Sequence, residues 1–176
     1  MATTEWLSAD ERAAWVRFSA VLELLPAALD AQLSADAHMT HFEYFTLAML
    51  SEAPDRVLRM SDLAARTNAT LPRLSRVITQ LEKRELVRRS PCPQDRRATN
   101  VTLTDEGWET LVAAAPGHVE AVRRFVFDVL DPRQVDQLAA IAAAMLSRLD
   151  PHGRMTANAG PTPSDSVQPS EHPETP

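Results

Sequence analysis

Glycine is scarce in this sequence, and its scarcity excludes two common kinds of nucleotide site. Only 4 glycines occur among 176 residues, at positions 107, 117, 153 and 160. A dinucleotide fingerprint and a Walker loop both need clustered glycines, because the backbone must approach phosphates closely. The sequence therefore argues against nucleotide-driven chemistry, and we expect no cofactor.

Cysteine and long apolar runs are also nearly missing. The single cysteine, Cys92, cannot form an internal disulfide or a paired-cysteine metal or redox motif, which fits a reducing compartment. No run of about eighteen uncharged apolar residues occurs, and residues 1–10 lack the basic start and apolar segment of a secretory signal. We therefore expect one cytoplasmic domain with no membrane partner.

The charge is unevenly distributed along the chain. The formal net charge is -6, yet the segment from Arg73 to Arg97 holds eight basic and three acidic residues, against ten and twenty-one elsewhere. Screening limits the reach of distant charges to about 8 Å in physiological salt, so a local basic block can attract phosphate on an acidic protein. The alternative is an ordinary solvated helix face.

Capping residues and apolar periodicity predict a mainly helical chain. Helices are predicted to begin at Ser8, Thr40, Ser61, Thr70, Thr104 and Asp131. Pro26 is expected to end or kink the first helix, and Pro116 to bend the fifth. Residues 55–59 are predicted to form a polar loop, and residues 151–176, which are rich in proline, a disordered tail.

The basic block combines a helix with a predicted hairpin. In the helix after Thr70, one stripe is apolar and a different face carries Arg73, Arg76, Gln80 and either Lys83 or Arg84. Two alternating strands, 86–90 and 99–103, follow, and the turn between them, 91–98, carries Arg96 and Arg97. Together with the short helix before Thr70, this predicts a helix-turn-helix followed by a wing. The expected fold is mainly α with a small β-hairpin wing, an α+β arrangement.

The segment from Asp95 to Gly107 resembles the wing of the MarR family of bacterial winged-helix transcription regulators. That wing reads Asp-x-Arg followed by a strand ending Leu-Thr-x-x-Gly, and this sequence matches it at Asp95, Arg97, Leu103, Thr104 and Gly107. The resemblance covers about residues 5–150. One departure is Glu85, which stands where the family usually has a glycine in a left-handed turn, so we expect either backbone strain or a different exit from the helix.

The resemblance implies a homodimer that binds one DNA duplex. Residues 1–150 would form the regulator, with a winged-helix region at 40–107 and dimerisation helices at 8–36 and 108–150. The apolar stripes of the first and last helices independently favour burial against a second copy. Two-fold symmetry predicts palindromic DNA with half-sites about 10 to 10.5 base pairs apart.

The recognition helix and the wing supply the candidate DNA contacts. The predicted contact residues are Thr70, Arg73, Ser75, Arg76, Thr79, Gln80, Lys83, Arg96 and Arg97. Arginines can pair bidentately with guanine in the major groove, whereas the wing arginines would reach the minor groove or its phosphates. Ser75 and Thr79 could instead fill the rim of the core. Following the family, Asp95 is interpreted as a brace for the hairpin, to which Arg96 or Arg97 could pair.

A small-molecule pocket is the second candidate site. Regulators that resemble this one often bind small aromatic acids between the dimer helices and the winged domain, and Trp15, Arg17, His41 and Tyr44 are the candidates here. Trp15 could equally belong to a packed aromatic stripe. His38, His41, Glu43 and Tyr44 also invite a metal interpretation, but no second ligand pair accompanies them, so no metal site is predicted.

These observations predict a DNA-binding regulator, most simply a repressor of a nearby promoter that a small aromatic or phenolic ligand releases. Two alternatives stay open: a redox-responsive regulator of the same fold that uses Cys92, and a protein-interaction module whose basic face meets an acidic partner. A Ser-His-Asp hydrolase is disfavoured, because no serine has the glycines of a nucleophile elbow. The protein is therefore not expected to be an enzyme.

Overall fold

The structure is a computed structural model that describes residues 4–93 and 95–155, without the side chain of Arg96. Within these residues the chain forms six α-helices and a three-stranded antiparallel sheet of order β1-β3-β2. The elements are α1 (Ala9–Ala37), α2 (His41–Ser51), a 3-10 turn (Pro54–Arg56), β1 (Val57–Arg59), α3 (Met60–Arg66), α4 (Leu71–Lys83), β2 (Val87–Cys92), β3 (Asp95–Leu103), α5 (Asp105–Val122), a π-helical turn (Arg123–Phe127) and α6 (Pro132–Leu149). The predicted fold class is confirmed.

Five of the six predicted helix caps are confirmed. The side chains of Ser8, Thr40, Thr70, Thr104 and Asp131 each accept a hydrogen bond from a backbone N–H in the first turn of their helix. The sixth prediction, Ser61, is wrong. α3 begins at Met60, so its N-cap is Arg59, two residues before Ser61, and no side chain caps it; the Ser61 hydroxyl donates to the Asp62 carboxylate instead.

The expectation that Pro26 ends the first helix is wrong, whereas a kink at Pro26 and a bend at Pro116 stay predictions. α1 continues through Pro26 and α5 continues through Pro116. A proline inside a helix removes one hydrogen bond and crowds the preceding turn. These two helices pack against each other over the C-terminal part of α1, where Leu29 and Leu33 are buried, so burial outweighs the local cost.

The predicted loop at 55–59 contains a strand. β1 pairs with β3, with Leu58 opposite Val101, and makes the wing sheet three-stranded. A strand of three residues is too short to show a recognisable alternation of apolar and polar residues. Its pairing partner also lies more than forty residues away in the chain, so local sequence does not indicate it.

The hairpin is longer than the sequence predicts. β2 extends to Cys92 and β3 begins at Asp95, so most of the predicted turn at 91–98 is strand. The predicted loop position of Cys92 is therefore wrong: it lies in β2 and is 2% exposed. Pro91 lies at the register irregularity before Cys92, where the ladder tolerates its missing N–H.

One hydrophobic core joins the helices of the winged region to the sheet. Its fully buried side chains include Leu33, Leu47, Leu50, Leu63, Leu74, Ile78, Leu81, Val101 and Leu111. By contrast, α6 has no buried residue along its whole described length. The predicted tail at 151–176 lies outside the described residues from position 156 onward.

Candidate nucleic-acid interface

The outer face of α4 presents a row of exposed polar and basic side chains. Leu74, Ile78 and Leu81 are buried and fix one side of the helix to the core. The predicted residues Thr70, Arg73, Arg76, Gln80 and Lys83 are all exposed. The helix therefore separates a core row from a basic row, as its sequence pattern predicts.

Arg73 is partly held by a neighbouring helix. Its guanidinium carbon lies 4.3 Å from the ring centroid of Phe42, the second residue of α2. Such cation–π contacts orient an arginine without using its hydrogen-bond donors. The Arg73 fork therefore stays available for a ligand while its direction is constrained by α2.

Ser75 and Thr79 form hydrogen bonds within the protein. The Thr79 hydroxyl donates to the Ser75 carbonyl oxygen at 2.8 Å and accepts from Nη2 of Arg89 at 3.1 Å. Arg89 lies in β2 and also pairs with Glu82, with Nη1 2.9 Å from the carboxylate. Arg89 was not among the sequence candidates. The signal was present, because Arg89 lies two residues from buried Val87 and therefore on the same inward face of the strand.

The wing carries Arg97 beside an aspartate turn. Arg97 is exposed, and Oδ1 of Asp95 accepts the Arg97 backbone N–H at 3.0 Å. Asp95 therefore forms a hydrogen bond with the backbone of Arg97. From the sequence alone, a pair between Asp95 and an arginine side chain is the expected brace. The side chain of Arg96 lies outside the described structure.

The end of α4 is tied to the corner between α1 and α2. Nη1 of Arg84 donates to the carbonyl oxygen of His38 at 3.3 Å, and His38 itself has a left-handed backbone with φ 51°. Glu85 follows with φ 61°, so backbone strain, and not a different exit from the helix, is the consequence of having glutamate here. The backbone N–H of Leu86 donates to the carbonyl oxygen of Leu81 at 3.0 Å, and this bond ends the helix.

The four predicted pocket residues fall into two separate groups. Trp15 packs near Phe18 on α1, with ring centroids 6.5 Å apart, and Arg17 donates to the carbonyl of Ala13. The backbone N–H of His41 instead donates to Oδ1 of Asp30, which is fifteen residues further along α1 than Trp15, or ~22 Å along a helix. Trp15 and His41 are therefore far apart within one chain, and the pocket of these four residues stays a prediction.

His41 and Tyr44 lie close to a third ring, which was not among the predicted pocket residues. His118 lies inside α5, with its ring centroid 4.4 Å from Tyr44 and 5.9 Å from His41. Burial lowers the pKa of His41, an effect that Asp30 opposes, and burial together with His41 lowers the pKa of His118. Burial raises the pKa of the Tyr44 phenol. Nδ1 of His118 is buried without a hydrogen-bond partner.

The helices outside the winged region expose apolar surface. Exposed large apolar residues on them include Trp15, Val16, Val21, Leu22 and Leu24 of α1 and Leu138, Ile141 and Leu149 of α6. Large exposed apolar patches are rare on monomers, and they often mark sites of interaction. Among the described residues no helix is long and apolar enough to cross a membrane, and no three potential metal ligands cluster.

Comparison with known proteins gives concordant matches. A sequence profile of the MarR family matches residues 39–99. The chain is 43% identical to Sco3205, a MarR family transcriptional regulator from Streptomyces coelicolor solved in complex with DNA, with a TM-score of 0.81 over 85% of this chain and 94% of that chain. AbsC, a MarR family regulator from the same organism, is 38% identical, with a TM-score of 0.77 over 83% of this chain and 98% of that one.

A curated relative matches over a shorter stretch. The transcriptional repressor MprA of Escherichia coli K12 is 27% identical over 107 residues, which are 61% of this chain and 60% of MprA. The match therefore spans less than two thirds of that relative.

A helix-turn-helix of α3 and α4 followed by the β2–β3 hairpin defines a winged-helix protein with a basic recognition helix. The fold, the matched segment and the identity to Sco3205 and AbsC together show that the chain belongs to the MarR family of transcriptional regulators. The family consists of DNA-binding regulators and not of enzymes, which sets the hydrolase alternative aside.

Proposed function

We propose that the chain acts in the cytoplasm as a homodimeric, sequence-specific DNA-binding repressor, and that a small aromatic or phenolic ligand relieves repression. The observation that carries the proposal is the exposed row of Arg73, Arg76, Gln80 and Lys83 on α4, beside exposed Arg97 on the wing. Such a face can read base edges in the major groove while the wing contacts the flanking backbone. Sco3205, solved with DNA, supplies a structural precedent.

The homodimer is supported by the uncovered apolar faces of α1 and α6. Ile141 is 55% exposed and Trp15 is 54% exposed, although both belong to apolar stripes. A second copy would bury these stripes and present two recognition helices to one duplex. Ile141→Asp should therefore convert a dimer to a monomer in light scattering after size exclusion. Ala143→Asp adds the same charge about 200° around the helix and should leave the dimer intact.

Relief by a ligand is supported by the corner of His41, Tyr44 and His118. The buried Nδ1 of His118 has no hydrogen-bond partner among the described residues, and it could bind a phenol or a protonated acid. Arg84 and Arg73 contact His38 and Phe42, which are close to His41 in the chain, so a ligand beside His41 could shift the recognition helix. Hydroxybenzoate should release bound DNA from the wild type and not from His118→Phe.

A selection experiment tests sequence-specific binding directly. The protein is incubated with a pool of random-sequence duplexes, and the bound DNA is amplified over several rounds and sequenced. We expect a two-fold symmetric sequence whose half-site centres are about 10 to 10.5 base pairs apart. If no sequence is enriched and binding still weakens with salt, the result would instead favour a basic face that binds other polyanions or an acidic protein.

The redox alternative has no structural support. Reactive thiols are partly exposed, and Cys92 is 2% exposed within β2. We therefore retain the ligand-responsive regulator alone.

A further inference from the structure

Arg89 of β2 contacts three positions of α4 that lie on one side of the helix. Its Nη2 donates to the Ser75 carbonyl at 2.7 Å and to the Thr79 hydroxyl at 3.1 Å. Its Nη1 donates to Glu82 at 2.9 Å. The planar fork of arginine suits this geometry, because two nitrogens can serve different acceptors at once.

Glu82 and Arg89 are joined twice. One carboxylate oxygen accepts from the guanidinium, and the other accepts the backbone N–H of Arg89 at 3.0 Å. The side chains are 26% and 38% exposed for Arg89 and Glu82, so the pair is only partly screened by water. Charge-assisted bonds of this kind are shorter and stronger than neutral ones. The pair thus fastens the wing to the last turns of α4.

The contacted row lies between the core row and the exposed row. At about 100° per residue, the row of Ser75, Thr79 and Glu82 is about 100° around α4 from the core row and about 100° on the other side from the row of Arg76, Gln80 and Lys83. The buried side chains of Leu74, Ile78 and Leu81 oppose rotation of α4 through packing, which has no preferred direction, whereas hydrogen bonds weaken steeply when their angles change. A fork bound to three fixed acceptors has one geometry and resists rotation strongly.

We propose that Arg89 is a positioning residue that fixes the rotation of α4 relative to the wing, and so sets which base edges the exposed row can reach, without touching DNA itself. This inference rests on the proposed DNA-binding function. Base contacts require alignment of donors and acceptors, whereas attraction to phosphate depends mainly on charge and distance. Loss of the Arg89 contacts therefore lowers sequence discrimination more than it lowers general affinity for DNA.

Arg89→Lys is the most informative variant, because lysine keeps the charge and lacks the fork. Fluorescence anisotropy is measured at several salt concentrations with a duplex enriched from the random pool and with a scrambled duplex of the same composition. We expect the affinity ratio between the two duplexes to fall roughly tenfold. The slope of log affinity against log salt should stay unchanged. Arg88→Lys, which alters the exposed neighbour on the opposite face of β2, should leave the ratio unchanged.

Glu82→Gln gives an independent test if the Arg89 variant folds poorly. It weakens the same link without removing the arginine, and the ratio should fall in the same direction by a smaller factor. Amide hydrogen exchange without DNA should accelerate over residues 75–83 in both variants and not in Arg88→Lys.

Two results would overturn the inference. An unchanged affinity ratio in both Arg89→Lys and Glu82→Gln would mean that the core alone sets the rotation of α4. In Arg89→Ala, equal losses on both duplexes, with a salt slope smaller by about 0.9, would mean that Arg89 contacts a phosphate. Failure of the wild-type protein to prefer any duplex would instead contradict the proposed function, so the two failures are distinguishable.

Discussion

The hydroxyl of Thr104 donates a 2.7 Å hydrogen bond to the carbonyl oxygen of Glu85, and this bond joins the exit of α4 to the start of α5. Thr104 also caps α5, since its oxygen accepts the Gly107 N–H at 3.0 Å. One side chain therefore holds two helix ends together. In this arrangement the backbone of Glu85 is left-handed, with φ 61°.

Glu85→Gly should stabilise the protein. A residue with a Cβ in the left-handed region is strained by about 1 to 2 kcal/mol, and glycine removes that strain at the cost of extra unfolded-state entropy. We expect the free energy of unfolding to rise by about 0.5 to 1 kcal/mol in urea denaturation. Lys83→Gly, two residues earlier in regular helix, should lower it by about 1 kcal/mol. Equal effects of the two variants would contradict the assigned strain.

Gly107→Ala should destabilise the protein, because a Cβ at this position would overlap the Leu86 carbonyl oxygen and lie 2.7 Å from Cδ1 of Leu103. The Leu86 oxygen already accepts the Thr104 N–H at 3.1 Å, so the backbone cannot easily withdraw. Overpacking of this kind costs about 1 to 3 kcal/mol.

Gly117→Ala is the matched control in the same helix. Its Cβ would lie 3.3 Å from Nε2 of Gln32 and 3.4 Å from Oδ2 of Asp36, which are the flexible ends of two side chains. Thermal denaturation should place Gly107→Ala below the wild type and Gly117→Ala at or above it. A reversed order would show that the α4–α5 junction is looser than described.

Stability should fall as the pH is lowered below about 6.5. Burial lowers the folded-state pKa of His41 and of His118 from the ordinary value of 6.5, so the unfolded chain binds more protons in this range. The stability is therefore fully present above the unfolded pKa and declines as the pH falls through the folded values. His118→Gln should flatten the dependence of the unfolding free energy between pH 7.5 and about 5.5. A decline as steep as in the wild type would exclude His118 as a cause of the pH dependence.

Features set by neighbours in sequence could be predicted, and features set by distant contacts could not. The caps at Ser8 and Asp131 depend on residues three positions away, so the sequence displays them directly. β1 exists only because Val57–Arg59 pairs with a strand far along the chain. The continuity of α1 through Pro26 likewise depends on packing against α5.

The candidate site shows the same division. The exposed row of α4 follows from helical periodicity. The hydrogen bond from Arg89 to the Thr79 hydroxyl instead depends on how the wing packs against the helix. His118 is not among the predicted pocket residues, because its ring reaches His41 and Tyr44 only through the packing of α5 against α2, which residue type alone does not indicate.

Arg97→Ala should weaken DNA binding about equally on all sequences. Arg97 is exposed on the wing, and its backbone is held by Asp95, so its side chain is suited to a phosphate or the minor groove. Anisotropy titrations at several salt concentrations should show a salt slope smaller by about 0.9. A change in preferred sequence with an unchanged slope would instead make Arg97 a base-reading residue.

The most direct test of the central claim is the affinity of the wild type, Arg76→Ala and Arg133→Ala for the duplex enriched from the random pool. Arg76 lies in the exposed row of α4, and Arg133 is an exposed arginine at the start of α6. If α4 reads DNA, Arg76→Ala loses about 1 to 3 kcal/mol of binding free energy and relaxes the sequence preference, while Arg133→Ala binds as the wild type does. Equal and negligible losses in both variants would contradict the account, because the DNA would then lie on another face.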